Sequence, residues 1–335
     1  MKNQRLFSDS VHGEHLKRRS FIQKAFFAGA GVILSQKSYP APSGKKSATE
    51  KQADSHVMVK VLGTAQDGGF PQMACYCENC RAARKNPDLA RKVVALGLLN
   101  FRTGKSFLFE ATPDAARQVE LIHAVDPKFK KTRGNPVDGI FITHADIGHY
   151  AGLVQFRPEV TTIRNLPVYC TEIMAGFLSE NEPWRFMVKH NIITLVPVEF
   201  EQSIELDDGI SFRAIKVPHD KHSDMAGFMI RGPNKSLLFI PDIDQWEERF
   251  RGIVASADYA VVDGTFFSER KGSKIHPLIT KSMAFFKDIA EAKKTRIIFI
   301  HFNHNSRLLS GDKSVRENIE AKGFYVADDG DELWL

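Results

Sequence analysis

The run Thr143-His144-Ala145-Asp146-Ile147-Gly148-His149-Tyr150-Ala151-Gly152-Leu153 sets two imidazoles and a carboxylate within six residues, at the exit of the apolar stretch Val137-Asp138-Gly139-Ile140-Phe141-Ile142. Neutral imidazole nitrogen and anionic oxygen are borderline and hard ligands, so the chemistry implied is divalent-metal binding. Taken alone, His-x-Asp-x-x-His is as readily a polar turn, because both residue types are common there. Three later segments shift the balance. Ile210 to Lys216 leads through Val217-Pro218 to His219, Leu237-Leu238-Phe239-Ile240-Pro241 to Asp242, and Arg296-Ile297-Ile298-Phe299-Ile300 to His301. Each is an apolar strand pattern that delivers a ligand-type side chain at its end.

A second cluster, Cys75-Tyr76-Cys77-Glu78-Asn79-Cys80, holds three of the four cysteines. Disulfides between neighbours this close would close strained small rings, so a thiolate-rich tetrahedral zinc site is the better reading. Three thiolates need a fourth ligand. Cys170 is one candidate, although it sits in the apolar Leu166-Pro167-Val168-Tyr169-Cys170, where a buried free thiol is ordinary. His304, three residues after His301, is the stronger one.

The frame of the 143–153 loop resembles the His-x-His-x-Asp-His loop of the metallo-β-lactamase superfamily. Counting from His144, the family's ligand positions fall on His144, Asp146, Gly148 and His149, with the family's Gly-Leu at Gly152-Leu153. Two positions depart: Asp146 stands where the family has His, and Gly148 where it has Asp. The resemblance implies one metal held by His144, Asp146, His219 and Asp242, and a second held by His149, Asp242 and His301, with Asp242 bridging. His222 is an alternative to His219. It also implies that Gly148 faces the site with room for a short side chain, so that Gly148→Asp would add a ligand.

Further segments narrow the resemblance. Val61-Leu62-Gly63-Thr64-Ala65-Gln66-Asp67-Gly68-Gly69-Phe70-Pro71-Gln72 followed by Cys75-x-Cys77-x-x-Cys80-Arg81, Val262-Asp263-Gly264-Thr265-Phe266-Phe267 with His276-Pro277, and His301-Phe302-Asn303 resemble the coenzyme PQQ synthesis protein B family. The likeness runs from about residue 58 to the C-terminus. The three cysteines with a late His are similar to the cyclic phosphodiesterase of the carbon-phosphorus lyase pathway, whose structural zinc is held by three Cys and one His. Its leaving-group proton donor falls near His276. That residue is equally well read as a surface His before Pro at a helix start. The protein B family usually lacks most of the loop histidines, which this chain keeps.

These resemblances imply a structural Zn2+ and one or two active-site divalent metals (Zn2+, Mn2+ or Fe2+). They imply a metal-dependent hydrolase, with Asp242 and His276 as catalytic residues, using metal-activated water on an ester, lactone or phosphodiester. The alternative is a non-hydrolytic coenzyme PQQ biosynthesis-type factor, either an iron-dependent oxygenase or a carrier of a small acidic molecule. The partner in either case is a small-molecule substrate, and a homodimer is left open.

The elements that must position these residues read as one α/β domain over 57–335, a four-layer αβ/βα metallo-β-lactamase sandwich by the resemblance. Strand patterns fall at 56–62, 93–101, 106–110, 139–143, 166–170, 192–197, 209–217, 226–230, 237–240, 259–263 and 296–301. Helical spacing falls at 113–124, 278–294 and 313–322, and 324–335 reads as a hairpin around Asp328-Asp329-Gly330-Asp331. Residues 1–40 resemble a twin-arginine export signal: Lys17-Arg18-Arg19-Ser20-Phe21-Ile22 precedes an apolar run too short to span a bilayer. This implies the export machinery as a partner and a periplasmic or otherwise exported protein, with 41–56 as linker. The segment 1–40 carries net +5 of the chain's +6. The basic balance therefore says nothing for nucleic-acid binding, and no Lys/Arg stripe interleaved with aromatics stands out.

Overall fold

The computed structural model describes residues 55–131, 134–219, 224–268 and 275–335. The expected export signal, most of the linker and His222 lie outside these residues. Chain order builds one sheet and then the other. Strands β1 (Val57–Gly63), β2 (Ala95–Asn100), β3 (Ser106–Phe109), β4 (Gly139–Phe141), β5 (Leu166–Cys170) and β6 (Ile193–Pro197) lie side by side in order. The second sheet repeats the arrangement with β7 (Ser203–Asp207), β8 (Ile210–Val217), β9 (Met225–Arg231), β10 (Ser236–Ile240), β11 (Tyr259–Asp263), β12 (Arg296–Ile300) and β13 (Tyr325–Val326). A last strand, β14 (Glu332–Trp334), returns to the first sheet beside β1.

Strands here are apolar on both faces because both faces are covered. In β10, Leu237 and Phe239 pack between the sheets while Leu238 and Ile240 pack under helices, and in β2 Leu96 and Leu98 oppose Ala95 and Leu99 in the same way. Alternate side chains point to opposite faces of a strand, so two covers require a continuous apolar run. Between the sheets Phe109 stacks on Phe141 at 4.3 Å, and Phe212 and Phe228 meet Phe141 edge-on at 4.8 and 5.3 Å. Truncating a ring buried like this to Ala costs about 3–5 kcal/mol. Helices Ala115–His123 and Glu172–Glu180 cover the first sheet, and Arg249–Ala255 and Ile279–Phe285 the second. The result is the expected four-layer α/β sandwich.

Pairing direction decides where side chains converge. Antiparallel β1/β2 and β2/β3 followed by parallel β3/β4 put the C-terminal ends of β1, β3 and β4 at one edge. Antiparallel β8/β9 and β9/β10, then parallel β10/β11 and β11/β12, do the same for β8, β10, β11 and β12. In open sheets, loops leaving such ends build binding sites.

Two expected elements differ. Residues 324–335 are no hairpin: β13 pairs with β12 in the second sheet and β14 with β1 in the first. The acidic crossing between them is drawn off by partners from elsewhere in the chain. Thr64 Oγ1 donates to Asp329 Oδ1 at 2.7 Å, the Lys92 N–H to Asp329 Oδ2 at 3.0 Å, and Arg316 pairs with Asp328 at 2.9 Å. The 278–294 helix breaks at Phe286 into Ile279–Phe285 and Lys287–Glu291. Phe286 is fully buried against Trp246, 4.9 Å between ring centres, and Arg251 takes the Phe285 carbonyl. Among the described residues no helix is long and apolar enough to cross a membrane.

Candidate metal centre

The cysteine cluster is organised by a helix start. Cys77 caps helix Glu78–Lys85, its Sγ accepting the Cys80 N–H at 3.5 Å. Cys75, Cys77 and Cys80 place their sulfurs 3.4, 3.6 and 3.6 Å from His304 Nδ1. Tetrahedral zinc, with Zn–S about 2.3 Å and Zn–N about 2.0 Å, sets sulfur and nitrogen about 3.5 Å apart, so the four residues fit that ion. Burial pushes the Cys80 thiol up to about 11, so a thiolate there calls for a cation. Cys170 is buried on β5 and stands outside the group. Asn79 Nδ2 ties the helix to the later loop by donating to the carbonyls of His304 and Ser306 at 3.1 and 3.0 Å.

The strand-end residues meet in the cleft between the two sheet edges. His144, Asp146, His219 and Asp242 form one group whose ligand atoms all lie within 4.8 Å of one another, and His149 and His301 belong to an adjoining one. Asp146 Oδ2 is 3.4 Å from both His144 Nε2 and His219 Nε2. Asp242 Oδ2 lies 3.8 Å from His144 Nε2, 4.0 Å from His149 Nε2 and 3.8 Å from His301 Nε2, so one oxygen serves both groups.

The Nε2 atoms of His144, His149 and His301 are buried without a hydrogen-bond partner. Each such atom costs about 1–3 kcal/mol, and three gathered round one carboxylate oxygen are accounted for by a cation between them. Imidazole and carboxylate donors fit Zn2+, Mn2+ or Fe2+.

Further residues hold these ligands in place. Glu110, at the end of β3, sets Oε1 3.1 Å from His149 Nδ1 and accepts from Thr143 Oγ1 at 2.6 Å. Burial opposes charge on His149, but Glu110 and then Asp67 and Asp242 outweigh it and bring its pKa up to about 9. Burial lowers the pKa of His144 and His301, favouring the neutral form that binds metal. Glu110, His276 and His301 all take left-handed backbone, with φ of 73°, 70° and 67°. That conformation costs an L-residue roughly 1–2 kcal/mol and tends to persist at working sites.

His276 is not a surface residue: its side chain is 8% exposed, with Nδ1 2.9 Å from Asp242 Oδ1 and 2.8 Å from Asp263 Oδ2. Burial works against its charge, yet Asp263 and Asp242 carry its pKa up to about 11. Both carboxylates favour its protonated form. Asp263 is anchored in turn, accepting the N–H of Thr265 at 2.8 Å and of Ile243 at 3.2 Å.

The expectation of open room at Gly148 is overturned. A Cβ there would lie 2.2 Å from Asp67 Oδ1 and 2.5 Å from Asp67 Cα, so a side chain cannot enter. The residue that takes this room is Asp67, on the loop leaving β1, which is not among the ligands expected from the sequence. The Gly148 N–H donates to Asp67 Oδ1 at 3.2 Å, and this oxygen is 3.6 Å from His149 Nε2. Asp67, His149 and His301 together form a group of metal-binding type. The available signal was Gln66-Asp67-Gly68-Gly69 directly after a strand that ends at the same edge as β4.

Residues 105–302 match the model of the Beta-lactamase superfamily domain. Coenzyme PQQ synthesis protein B of Stutzerimonas stutzeri is 28% identical over 309 residues, covering 83% of this chain and 99% of that protein. The structure of zinc-bound PqqB from Methylobacterium extorquens superposes with a TM-score of 0.71 at 24% identity, over 83% of this chain and all of that one. A diphosphatase of the PhnP family superposes with a TM-score of 0.64 at 21% identity, over 83% and 97% of the two chains. At these identities the two superpositions speak for the fold.

Proposed function

The chain belongs to the beta-lactamase superfamily, and from that premise we propose that it is a metal-dependent hydrolase of an ester, lactone or phosphodiester. The observation that carries this reading is the set of three buried, unpartnered imidazole nitrogens around Asp242. His144, Asp146, His219 and Asp242 would hold one ion, and His149 and His301, sharing Asp242, a second. Divalent cations bound by such ligands lower the pKa of water toward neutrality and polarise a carbonyl or phosphoryl oxygen.

The protein's own residues supply the rest. Glu110 fixes the ring of His149, and outer partners of this kind set both orientation and basicity of a ligand. His276, protonated and held between Asp242 and Asp263, is the group able to give a proton to a departing alkoxide. A cleft of about 320 Å³, lined by Gln66, Asp67, Gln72, Asn303 and His304, opens beside Asp67.

The test is a screen of manganese- or zinc-loaded protein against phosphodiester, lactone and thioester substrates, with Asp242→Asn as control. Turnover of one class that the variant abolishes is expected. Full metal occupancy with no turnover of any class would sink the reading. Likeness to protein B over nearly its whole length favours a second reading, an iron-dependent factor in cofactor synthesis. A single tightly held iron with oxygen consumption would support it.

A further inference from the structure

We propose that Asp67 is a ligand of the second metal, so that the carboxylate missing from the 143–153 loop at Gly148 is supplied from the loop after β1. This rests on the metal-centre reading above and goes beyond it by naming a ligand that the loop's own pattern does not contain. Position 148 and Asp67 compete for one volume: a Cβ at 148 would fall 2.2 Å from Asp67 Oδ1 and 2.5 Å from its Cα. Glycine is therefore the residue that lets this carboxylate in. Once there, Asp67 Oδ1 is oriented by the Gly148 N–H at 3.2 Å and lies 3.6 Å from His149 Nε2.

The loop that carries Asp67 is fastened to the segment that carries His301. The Gln66 N–H donates to the Phe302 carbonyl at 3.0 Å, the Phe302 N–H to the Thr64 carbonyl at 2.8 Å, and Asn303 Nδ2 to Gln66 Oε1 at 2.7 Å. Asp67 and His301 are thereby placed by one latched unit, with His149 opposite. Two imidazole nitrogens that lack hydrogen-bond partners and one carboxylate, all within 4.8 Å, complete a three-residue ligand set, with Asp242 Oδ2 4.0 and 3.8 Å from the two nitrogens. Imidazole and carboxylate in this ratio suit Mn2+ or Zn2+.

Mn2+ titration of protein that retains its structural zinc, followed by electron paramagnetic resonance, tests this without reference to turnover. Wild type is expected to take two Mn2+ beyond the zinc and to show a spin-coupled pair. Asp67→Asn keeps the shape and an acceptor for the Gly148 N–H. It should bind the first ion within about threefold of wild type and the second more weakly, by more than the ~10–100-fold that loss of an outer-shell partner costs. Gly148→Ala removes no ligand atom but displaces Asp67, and should also lose the coupled signal. Two ions of unchanged affinity in Asp67→Asn would overturn the proposal and leave the hydrolase reading standing. So would a wild type that binds only one. A wild type that binds no Mn2+ beyond the zinc would overturn the metal-centre reading itself.

Discussion

Glu110 Oε1 lies 3.1 Å from His149 Nδ1 with both side chains fully excluded from solvent. Glu110 sits behind the ligand His149 and also accepts from Thr143 Oγ1, which lies 2.8 Å from His144 Nδ1. Glu110→Gln keeps the shape and removes the charge. Metal affinity at the His149 side should fall about 10–100-fold, as for other outer-shell carboxylates. Competition with a chromophoric chelator measures it, and an affinity equal to wild type would show that Glu110 serves only packing.

His276→Gln should separate proton donation from metal binding. A positioned general acid contributes about 10²–10⁴ in rate, and chiefly where the leaving group is poor. On the hydrolase reading, kcat for an alkyl phosphodiester should drop within that range, whereas a nitrophenyl ester, which departs without a proton, should lose far less. Equal losses on both substrates would place His276 among the residues that merely hold Asp242.

Much of this centre was legible in the sequence because a strand covered on both faces must be a continuous apolar run, and such a run announces its own end. His144, Asp242 and His301 follow runs of that kind, whereas His219 follows β8, whose Ser211, Arg213 and Lys216 alternate with buried apolar residues. Asp67 was not legible as a ligand because its meaning lies in Gly148, 81 residues away, whose missing Cβ leaves room for it. β7, Ser203–Asp207, carries too little apolar surface to stand out, with Ser203 and Glu205 exposed and the rest half-buried. The hairpin expected at 324–335 was wrong for a related reason: the turn itself forms, with the Asp331 N–H donating to the Asp328 carbonyl at 3.1 Å, but the strands flanking it pair with β12 and β1 rather than with each other.

Cys77→Ser should remove one zinc per chain and lower the melting temperature, since metal binding at such a site is folding free energy. The same change should loosen the active-site side. His304 is three residues beyond His301, and Asn303 holds the loop of Asp67 through Gln66. Metal analysis and calorimetry on the purified variant check both effects. Full zinc content with an unchanged melting temperature would refute the structural site.

Asp207 links the two sheets and should govern acid stability. Its carboxylate accepts from Asn100 Nδ2 on β2 at 2.8 Å and lies 2.9 Å from Lys105 Nζ. Burial opposes the charge, but Thr103 and Lys105 outweigh it and hold the carboxyl below the usual carboxylate range. A depressed folded pKa gives stability that is present above the unfolded value and lost as pH falls through the folded one. Asp207→Asn should therefore cost about 1.5–3 kcal/mol at neutral pH and flatten the acid limb below about pH 4. Denaturant midpoints at pH 7 and pH 3 decide it.

If residues 1–40 are the twin-arginine signal they resemble, replacing Arg18 and Arg19 with Lys should keep the full-length chain in the cytoplasm, because the receptor of that route reads the pair as an address. Fractionation of cells expressing both forms is the measurement. Undiminished periplasmic accumulation of a processed form would exclude the twin-arginine route.

The pairing of β14 with β1 joins Lys60 to Glu332 across 272 residues of sequence. A contact of that separation closes a loop of nearly the whole domain, and loop-closure entropy and high contact order both slow its formation. Until it forms, β1 presents an open edge of unpaired amides and carbonyls, the template on which one chain adds to another. Refolding from denaturant is therefore a race between β14 and a neighbouring molecule, and its yield should fall as protein concentration rises.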